Sequence, residues 1–469
     1  MSNHHVTNTT HPNAGSPGPG AEPDEHPYDL IVVGAGIAGL AAALTGVSGL
    51  AGVTGTTDGA GRRGPVQPPR ILVLDAHPAG GRARTSEQAG FLHNVGPHAM
   101  YRSGALAALL ARHGVEVSGG EPASGAAIMV RDGQGHPMRL SPGSMLRTSL
   151  LTPGERLRLL ALFATVQRAK PAQLVGTSVD DWLAPYPRRV RQFADMLIRV
   201  SSYTDAPDVF DAGAAVAQLQ LAIGPGVQYL DGGWQSIVAG CLDVLAAAGV
   251  DVRTDEETLT VRSVDRSPLV SVTTSNTTHT AHSVVIAGGG PETAERLTGA
   301  TVRGLDRITP PVTASTLDLA LATARPALAF ALDAPLYLSA HAPAARLAPE
   351  GHGLVSLMRY HAPGADAGDP AVRRAELRAF ARHVGIGERG DEREVLHERY
   401  LHRMVVTHGA PTASGGGLAG RPAVDALGLP GVYLAGDWVG AEGLLADAAA
   451  ASGIAAARAA AQRCASITG

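Results

Sequence analysis

The chain has 469 residues, 45% of them hydrophobic, which is enough to bury the cores of about two packed units. Its formal net charge of −4 offers no broad basic field and argues against a nucleic-acid partner. Only Cys241 and Cys464 occur, too few for a disulfide framework or a cysteine-ligated metal, and this count suits a reducing cytoplasm.

Residues 1–27 are rich in Pro, Gly, Asn and His and read as a disordered tail. No Lys or Arg precedes Arg62, so the positive region of a secretion signal is lacking. The first ordered stretch, "YDLIVVGAGIAGLAAAL", reads as strand, turn and helix. Its Gly34, Gly36 and Gly39 have the G-x-G-x-x-G spacing. Gly34 allows a tight turn, Gly36 lets backbone approach a pyrophosphate, and Gly39 permits close helix packing. The helix opens at Ile37 and Ala38, where its N-terminus favours phosphate charge. Dinucleotide binding is therefore expected, and a plain glycine turn is the rival reading.

Residues 46–70 are Gly, Thr and Pro-rich and read as a surface insertion before the next strand, "RILVLDA". That strand ends at Asp75 and Ala76, the place for a carboxylate that accepts from ribose hydroxyls. By itself Asp75 reads equally well as a surface cap on the strand end.

Helical patterns fill residues 105–225, with Thr152-Pro153 as an N-cap followed by proline at the first helical position. The uncharged stretch between Asp211 and Asp231 contains Gln218, Gln220 and "GPG" and reads poorly as a membrane span. Alternating strands resume before "HSVVIAGGG". A second nucleotide site at Gly288-Gly289-Gly290 is disfavoured, because the sixth position is Thr293 and Pro291 simply starts a helix. Residues 301–400 mix strands such as "ALAFALD" and "GLVSLMRY" with one helix. The strand "GVYLAGD" and an alanine-rich helix close the chain.

Four motifs in order carry a family resemblance: the glycine turn, "GGRAR" at 80–84 with "NVGPHAM" at 94–100, "GVDVRTDEETLTV" with "HSVVIAGGG", and "GVYLAGDWVGAEGLLADAAAASG" at 431–453. Together the chain resembles the flavin superfamily of phytoene desaturases, protoporphyrinogen oxidases and amine oxidases, and is most similar to the bacterial phytoene-desaturase-like branch. The resemblance implies an α/β fold: a Rossmann-like FAD-binding domain of the glutathione-reductase type, with an inserted α+β substrate domain. The FAD-binding parts would be 28–104, 226–300 and 423–469, and the substrate parts 105–225 and 301–422.

It also implies roles for residues. Gly81 and Arg82 would lie beside the FAD pyrophosphate, where a guanidinium fork matches phosphate. Gly96, Pro97 and His98 would pass under the isoalloxazine, and backbone near Thr258 would meet the adenine, unless that segment is a plain hairpin. Gly436 and Asp437 would hydrogen-bond the ribityl or pyrophosphate region. The helix beginning near Gly443, Leu444 and Leu445 would aim its positive end at the flavin pyrimidine edge. Glu442 has no assigned role. His98, Tyr101 and Tyr360 are the candidates for lining or catalysis.

Flavin amine oxidases commonly place a lysine near the flavin N5, but Lys170 is the only lysine and lies inside the helical insertion. Amine oxidation by that arrangement is disfavoured. The branch implies hydride transfer from a hydrophobic, isoprenoid-like substrate to flavin N5, with oxygen or a quinone as electron acceptor. The alternatives are tetrapyrrole oxidation, a non-redox flavin isomerase and a binding flavoprotein. Arg188, Arg189, Arg191 and Arg199 in "PYPRRVRQFADMLIRVSS" would suit contact with an anionic membrane, although a solvated helix face is the better reading. The expected location is the cytoplasm, with peripheral contact at the inner membrane face as the variant.

Overall fold

The computed structural model describes residues 26–51, 68–139, 141–386 and 395–468. Most of the expected N-terminal tail and residues 52–67 of the expected insertion lie outside them.

The chain crosses between two sheets. The first pass holds β1 (Tyr28–Val33), α1 (Ile37–Leu50), β2 (Ile71–Leu74), β3 (Thr85–Gln88), β4 (Phe91–Asn94), β5 (Met100–Tyr101), α2 (Ala105–Arg112) and β6 (Gly119–Gly120). The second holds β7 (Ala127–Arg131), β8 (Gln134–Pro137), α3 (Pro142–Met145), α4 (Pro153–Arg168), α5 (Val179–Leu183), α6 (Arg188–Ser202) and α7 (Ala212–Ile223). The third returns through β9 (Val227–Leu230), α8 (Gln235–Ala247), β10 (Asp251–Arg253), β11 (Thr258–Ser263), β12 (Val270–Thr274), β13 (Thr278–Ile286) and α9 (Pro291–Thr298). The fourth adds β14 (Val312–Leu321), β15 (Leu328–Ala331), β16 (Leu336–Ala342), β17 (Gly353–Tyr360), α10 (Pro370–Ala381) and β18 (Val395–Thr407). The last is β19 (Val432–Leu434) and α11 (Leu445–Thr468).

One seven-stranded sheet has the order β10-β2-β1-β13-β12-β11, with β19 also paired to β13. Its parallel strands are buried on both faces and read as unbroken apolar runs, as "LIVV" and "ILVL" do. The register sets Leu74 beside Val33, Val33 beside Ile286 and Ile286 beside Leu434. Four strands thus end level, and Gly34, Asp75, Ala287 and Ala435 follow those ends. The other seven-stranded sheet runs β18-β14-β17-β16-β15-β7-β8 and packs against α4, α6 and α7.

Several boundaries differ from the sequence reading. Helix α1 continues to Leu50, so residues 46–50 belong to it and not to an insertion; Leu50 is fully buried and holds the last turn down. Helix α2, expected in the helical unit, packs Leu106, Leu109 and Leu110 into the core of the nucleotide-type sheet. Thr152 caps α4 in a full capping box with Glu155, as its sequence indicates. Helix α6 buries Val190, Phe193, Ala194, Met196 and Ile198, so its apolar face is spent inside the protein. Arg199 of the same helix turns inward to Asp205 and the Ala331 carbonyl. Among the described residues no helix is long and apolar enough to cross a membrane.

The alanines of α11 have a packing purpose. Ala449, Ala450, Ala456, Ala457 and Ala460 are buried against the small residues of α1, which lets the two helices cross closely. At the closest point a Cβ on Gly453 would stand 2.2 Å from the Ala38 carbonyl oxygen. Gly453→Ala is expected to destabilise the fold by about 1–3 kcal/mol through overpacking, read from the midpoint of denaturant unfolding.

Candidate functional site

A cavity of about 660 Å³ opens along the level strand ends and continues under the second sheet. That volume suits a small-molecule or cofactor site, and the carboxyl ends of parallel strands are where such ligands bind in open α/β sheets. One end is lined by Asp75, Glu257, Thr258, Gly288, Gly289 and Thr293; the other by Pro97, His98, Tyr101, Tyr203, Met404 and Asp447.

The glycine turn is built for backbone approach. Gly34 has φ +106°, and a Cβ there would lie 2.5 Å from the Gly288 amide nitrogen. Gly39 does not line the cavity: a Cβ on it would lie 1.7 Å from the Gly34 carbonyl oxygen, which is the close helix packing its position suggests. Asp75 accepts hydrogen bonds from the Ala35 and His77 amides, so it ties the glycine turn to its own strand end while still lining the cavity. Gly36, the N-cap of α1, supplies no side-chain cap, which leaves the first amides of that helix facing the cavity wall. The Gly80 amide donates to Ala35, docking the "GGR" turn on the glycine turn. An uncapped helix start, a glycine cradle and an arginine form a donor set that fits a dinucleotide pyrophosphate.

Arg82 and Asp437 meet 355 residues apart in sequence: Arg82 Nη1 donates to Asp437 Oδ2 at 2.7 Å and to the Val406 carbonyl. His408 faces the other carboxylate oxygen at 3.3 Å. Burial alone would push the Asp437 carboxyl up, but the Arg82 charge and the His408 bond outweigh it and hold its pKa well below the usual carboxylate range. The buried Arg421 staples the following loop by donating to the carbonyls of Asp437, Gly440 and Glu442. Burial pulls the Arg421 pKa down to about 10, with Asp437 opposing.

At the other end, loop 94–101 is fixed from behind. Arg399 donates twice to the buried Asp318 and also binds the Asn94 carbonyl and the Ser86 hydroxyl. Asn94 Oδ1 accepts from Thr85 and from the Trp234 amide. His98 donates through Nδ1 to Gly96 and packs edge-on to Trp234, and burial lowers its pKa, so it stands neutral. The Trp234 indole N–H, on the cavity wall, has no acceptor among the described residues.

Of the residues singled out in the sequence, Gly34, Gly36, Ile37, Ala38, Asp75, Ala76, Gly81, Arg82, Pro97, His98, Tyr101, Thr258, Gly436, Asp437 and Leu445 all line this one cavity. Four do not. Besides Gly39, Gly96 forms the turn beneath Met404, Leu444 is buried in the core of the second unit, and Tyr360 lies behind Tyr203 with ring centroids 6.0 Å apart. Gly288 and Gly289 of the triple glycine line this same cavity. Lys170 is exposed and outside the lining. Sequence reasoning missed Tyr203, Trp234, Met404, His408, Arg421 and Asp447. Only Asp447 carried a signal, as the single charge in the first turn of an alanine-rich helix.

Because the folded pKa of Asp437 is depressed, the stability it contributes is present above its unfolded value of about 3.9 and is lost as pH falls below it. Asp437→Asn should therefore flatten the loss of stability below about pH 4, as measured by denaturant unfolding at stepped pH.

A family model described as flavin containing amine oxidoreductase matches residues 37–461. No curated protein gives a significant sequence match. Solved structures share the fold. A Methanosarcina mazei oxidoreductase is 18% identical with TM-score 0.69, covering 91% of this chain and 99% of its own. An Exiguobacterium protein provisionally named protoporphyrinogen oxidase is 17% identical with TM-score 0.64, at 92% and 98% coverage. Cyclohexylamine oxidase from Brevibacterium oxydans is 16% identical with TM-score 0.64, at 93% and 99% coverage.

Proposed function

The chain belongs to the flavin-containing amine oxidoreductase family, and on that premise we propose that this FAD-dependent oxidoreductase oxidises a hydrophobic, isoprenoid-like small molecule at a C–H bond. FAD, the cofactor of the family, supplies the hydride acceptor when bound. The chain's own residues bind and orient. The α1 start and Arg82 would hold the pyrophosphate, Asp75 and Thr258 the adenosine end, and Gly436 and Asp437 the ribityl region. Pro97 and His98 would lie against the ring system.

The observation that carries the substrate reading is the chemistry of the wall beyond His98. Tyr101 and Tyr203 face the cavity, yet the Tyr101 hydroxyl is spent on the Ser201 carbonyl at 2.6 Å and the Tyr203 hydroxyl on the Pro97 carbonyl at 3.0 Å. What these two tyrosines leave for a ligand is ring surface, beside Leu106, Met404 and Val405, with the Trp234 indole N–H, unpaired among the described residues, on the same cavity wall. A wall of apolar faces favours burial of hydrocarbon over recognition of polar groups. Tyr203 sits at φ +56°, a strained setting for an aromatic residue that its bond to Pro97 helps to hold. The absence of lysine from the lining agrees with a substrate that needs no proton handling at nitrogen. Oxygen or a quinone then serves as the electron acceptor, and a lipophilic substrate would make brief contact with a membrane surface the natural route of entry.

Purified protein should be yellow, and anaerobic addition of an apolar polyene precursor should bleach the flavin bands. Bleaching by primary amines or by a porphyrinogen, with none by the polyene, would replace this substrate class. A colourless protein that cannot be reconstituted would sink the cofactor assignment. Asp437→Ala should weaken FAD retention by about tenfold or more, since a charge-assisted hydrogen bond is lost, as read by flavin occupancy after gel filtration.

A further inference from the structure

We propose that Asp447 sets the reduction potential of the bound FAD, its carboxylate opposing the positive ends of α2 and α11 at the ring end of the cavity. This inference rests on the cofactor reading above.

Asp447 lies in the first turn of α11, lines the cavity and is only 4% exposed. Its Oδ1 accepts the Leu106 amide at 2.9 Å, in the first turn of α2. Gly104, the N-cap of α2, provides no side-chain cap of its own, and a Cβ there would stand 2.1 Å from both carboxylate oxygens. Two helix starts therefore converge on one buried carboxylate. No basic side chain forms an ion pair with it among the described residues.

A cap alone does not require a charge, because Asn or Ser can accept the same amide bond. A buried carboxylate balanced only by helix ends is costly to keep ionised. Its electrostatic effect is directional: helix N-termini favour added negative charge on a nearby ligand, and the carboxylate cancels part of that preference.

The surroundings make this charge titratable. Burial pushes the Asp447 carboxyl up to about 6, helped by the nearby Glu442 charge and opposed by the Leu106 bond. Of the elements packed against it, α1 carries no titratable side chain, and α2 carries only Arg112, at its far end. Tyr101 of β5 faces it, and burial raises its pKa well above the ordinary tyrosine value, so it is neutral throughout. The loop before α11 supplies Glu442 and the Arg82-paired Asp437. The β13 contact is with the other end of α11, where Arg463 binds the His282 carbonyl.

The test is the reduction potential of the FAD-loaded protein against a reference dye, for wild type, Asp447→Asn and Glu442→Gln from about pH 5 to 8. Asp447→Asn keeps the acceptor for Leu106 and removes the charge. At pH 8 it should shift the dye equilibrium about tenfold toward the reduced protein, about 30 mV for a two-electron couple. The difference should vanish near pH 5, where the wild-type carboxyl is protonated. The wild type should show an added slope near pH 6 that is missing in Asp447→Asn and displaced to lower pH in Glu442→Gln. Flavin-bearing variants with the wild-type potential at every pH would overturn the assignment and leave Asp447 a cap. If Asp447→Asn does not fold, an unmoved slope in Glu442→Gln overturns it equally. A wild type with no flavin bands would overturn the cofactor reading itself.

Discussion

Everything in this protein hangs on three backbone segments that approach more closely than any side chain permits. Gly39 sits over the Gly34 carbonyl, Gly34 against the Gly288 amide, and Gly453 over the Ala38 carbonyl. These contacts fix α1 against its own strand, β1 beside the end of β13, and α11 across α1. They bring the start of α1 and the start of α11 to the same cavity, although some 400 residues separate them. Interiors packed to crystal-like density cannot absorb extra atoms at such points, so the geometry is set to within fractions of an ångström.

On that frame the electrostatics are graded along the cavity. Around the α1 start the cavity wall offers donors: helix amides, Arg82 and the glycine turn. Arg82 is itself oriented by Asp437, and Asp437 by His408 and the loop that Arg421 staples. One buried carboxylate thus aligns segments from three passes of the chain. At the other end, tyrosine hydroxyls are consumed by backbone carbonyls, and the buried Asp447 faces helix ends, with no basic ion-pair partner among the described residues.

The second sheet acts on the site through loop 94–101. Arg399, held by Asp318 on the neighbouring strand of that sheet, donates to the Asn94 carbonyl and to Ser86 of the hairpin that precedes the loop. Burial would raise the Asp318 pKa, but the His93 bond and the Arg399 charge lower it, which keeps the grip ionised. The second sheet is therefore tied to the β3–β4 hairpin and loop 94–101 by Arg399 hydrogen bonds, and the Asp318 that holds Arg399 is buried, so loss of Arg399 would leave a buried charge. That coupling gives the cavity wall formed by the second sheet a fixed position relative to Pro97 and His98.

Motifs whose chemistry is local could be read from the chain: the glycine turn, the capping box at Thr152, the strand-ending carboxylates at Asp75 and Asp437, and the helix after Pro291. Each depends on backbone conformations that neighbouring residues dictate, and four such motifs in order were enough to imply a flavin fold. The end of α1 was misjudged because glycines at 46 and 49 look like a loop; the buried Leu50 overrides that preference. The placement of α2 was misjudged because an amphipathic pattern states which face is buried but not against what. Tyr203, Met404 and Arg421 carried no spacing that tied them to the site, and Asp447 only its place in the first turn of an alanine-rich helix. The sequence by itself determined the cofactor class and the local cradle, because glycine and phosphate chemistry act over a few residues. Only the tertiary structure decided the Arg82–Asp437 pair, the tyrosine-lined cavity wall and the buried Asp447 between two helix starts, because each is made by residues a hundred or more positions apart whose burial exists only once both sheets have packed.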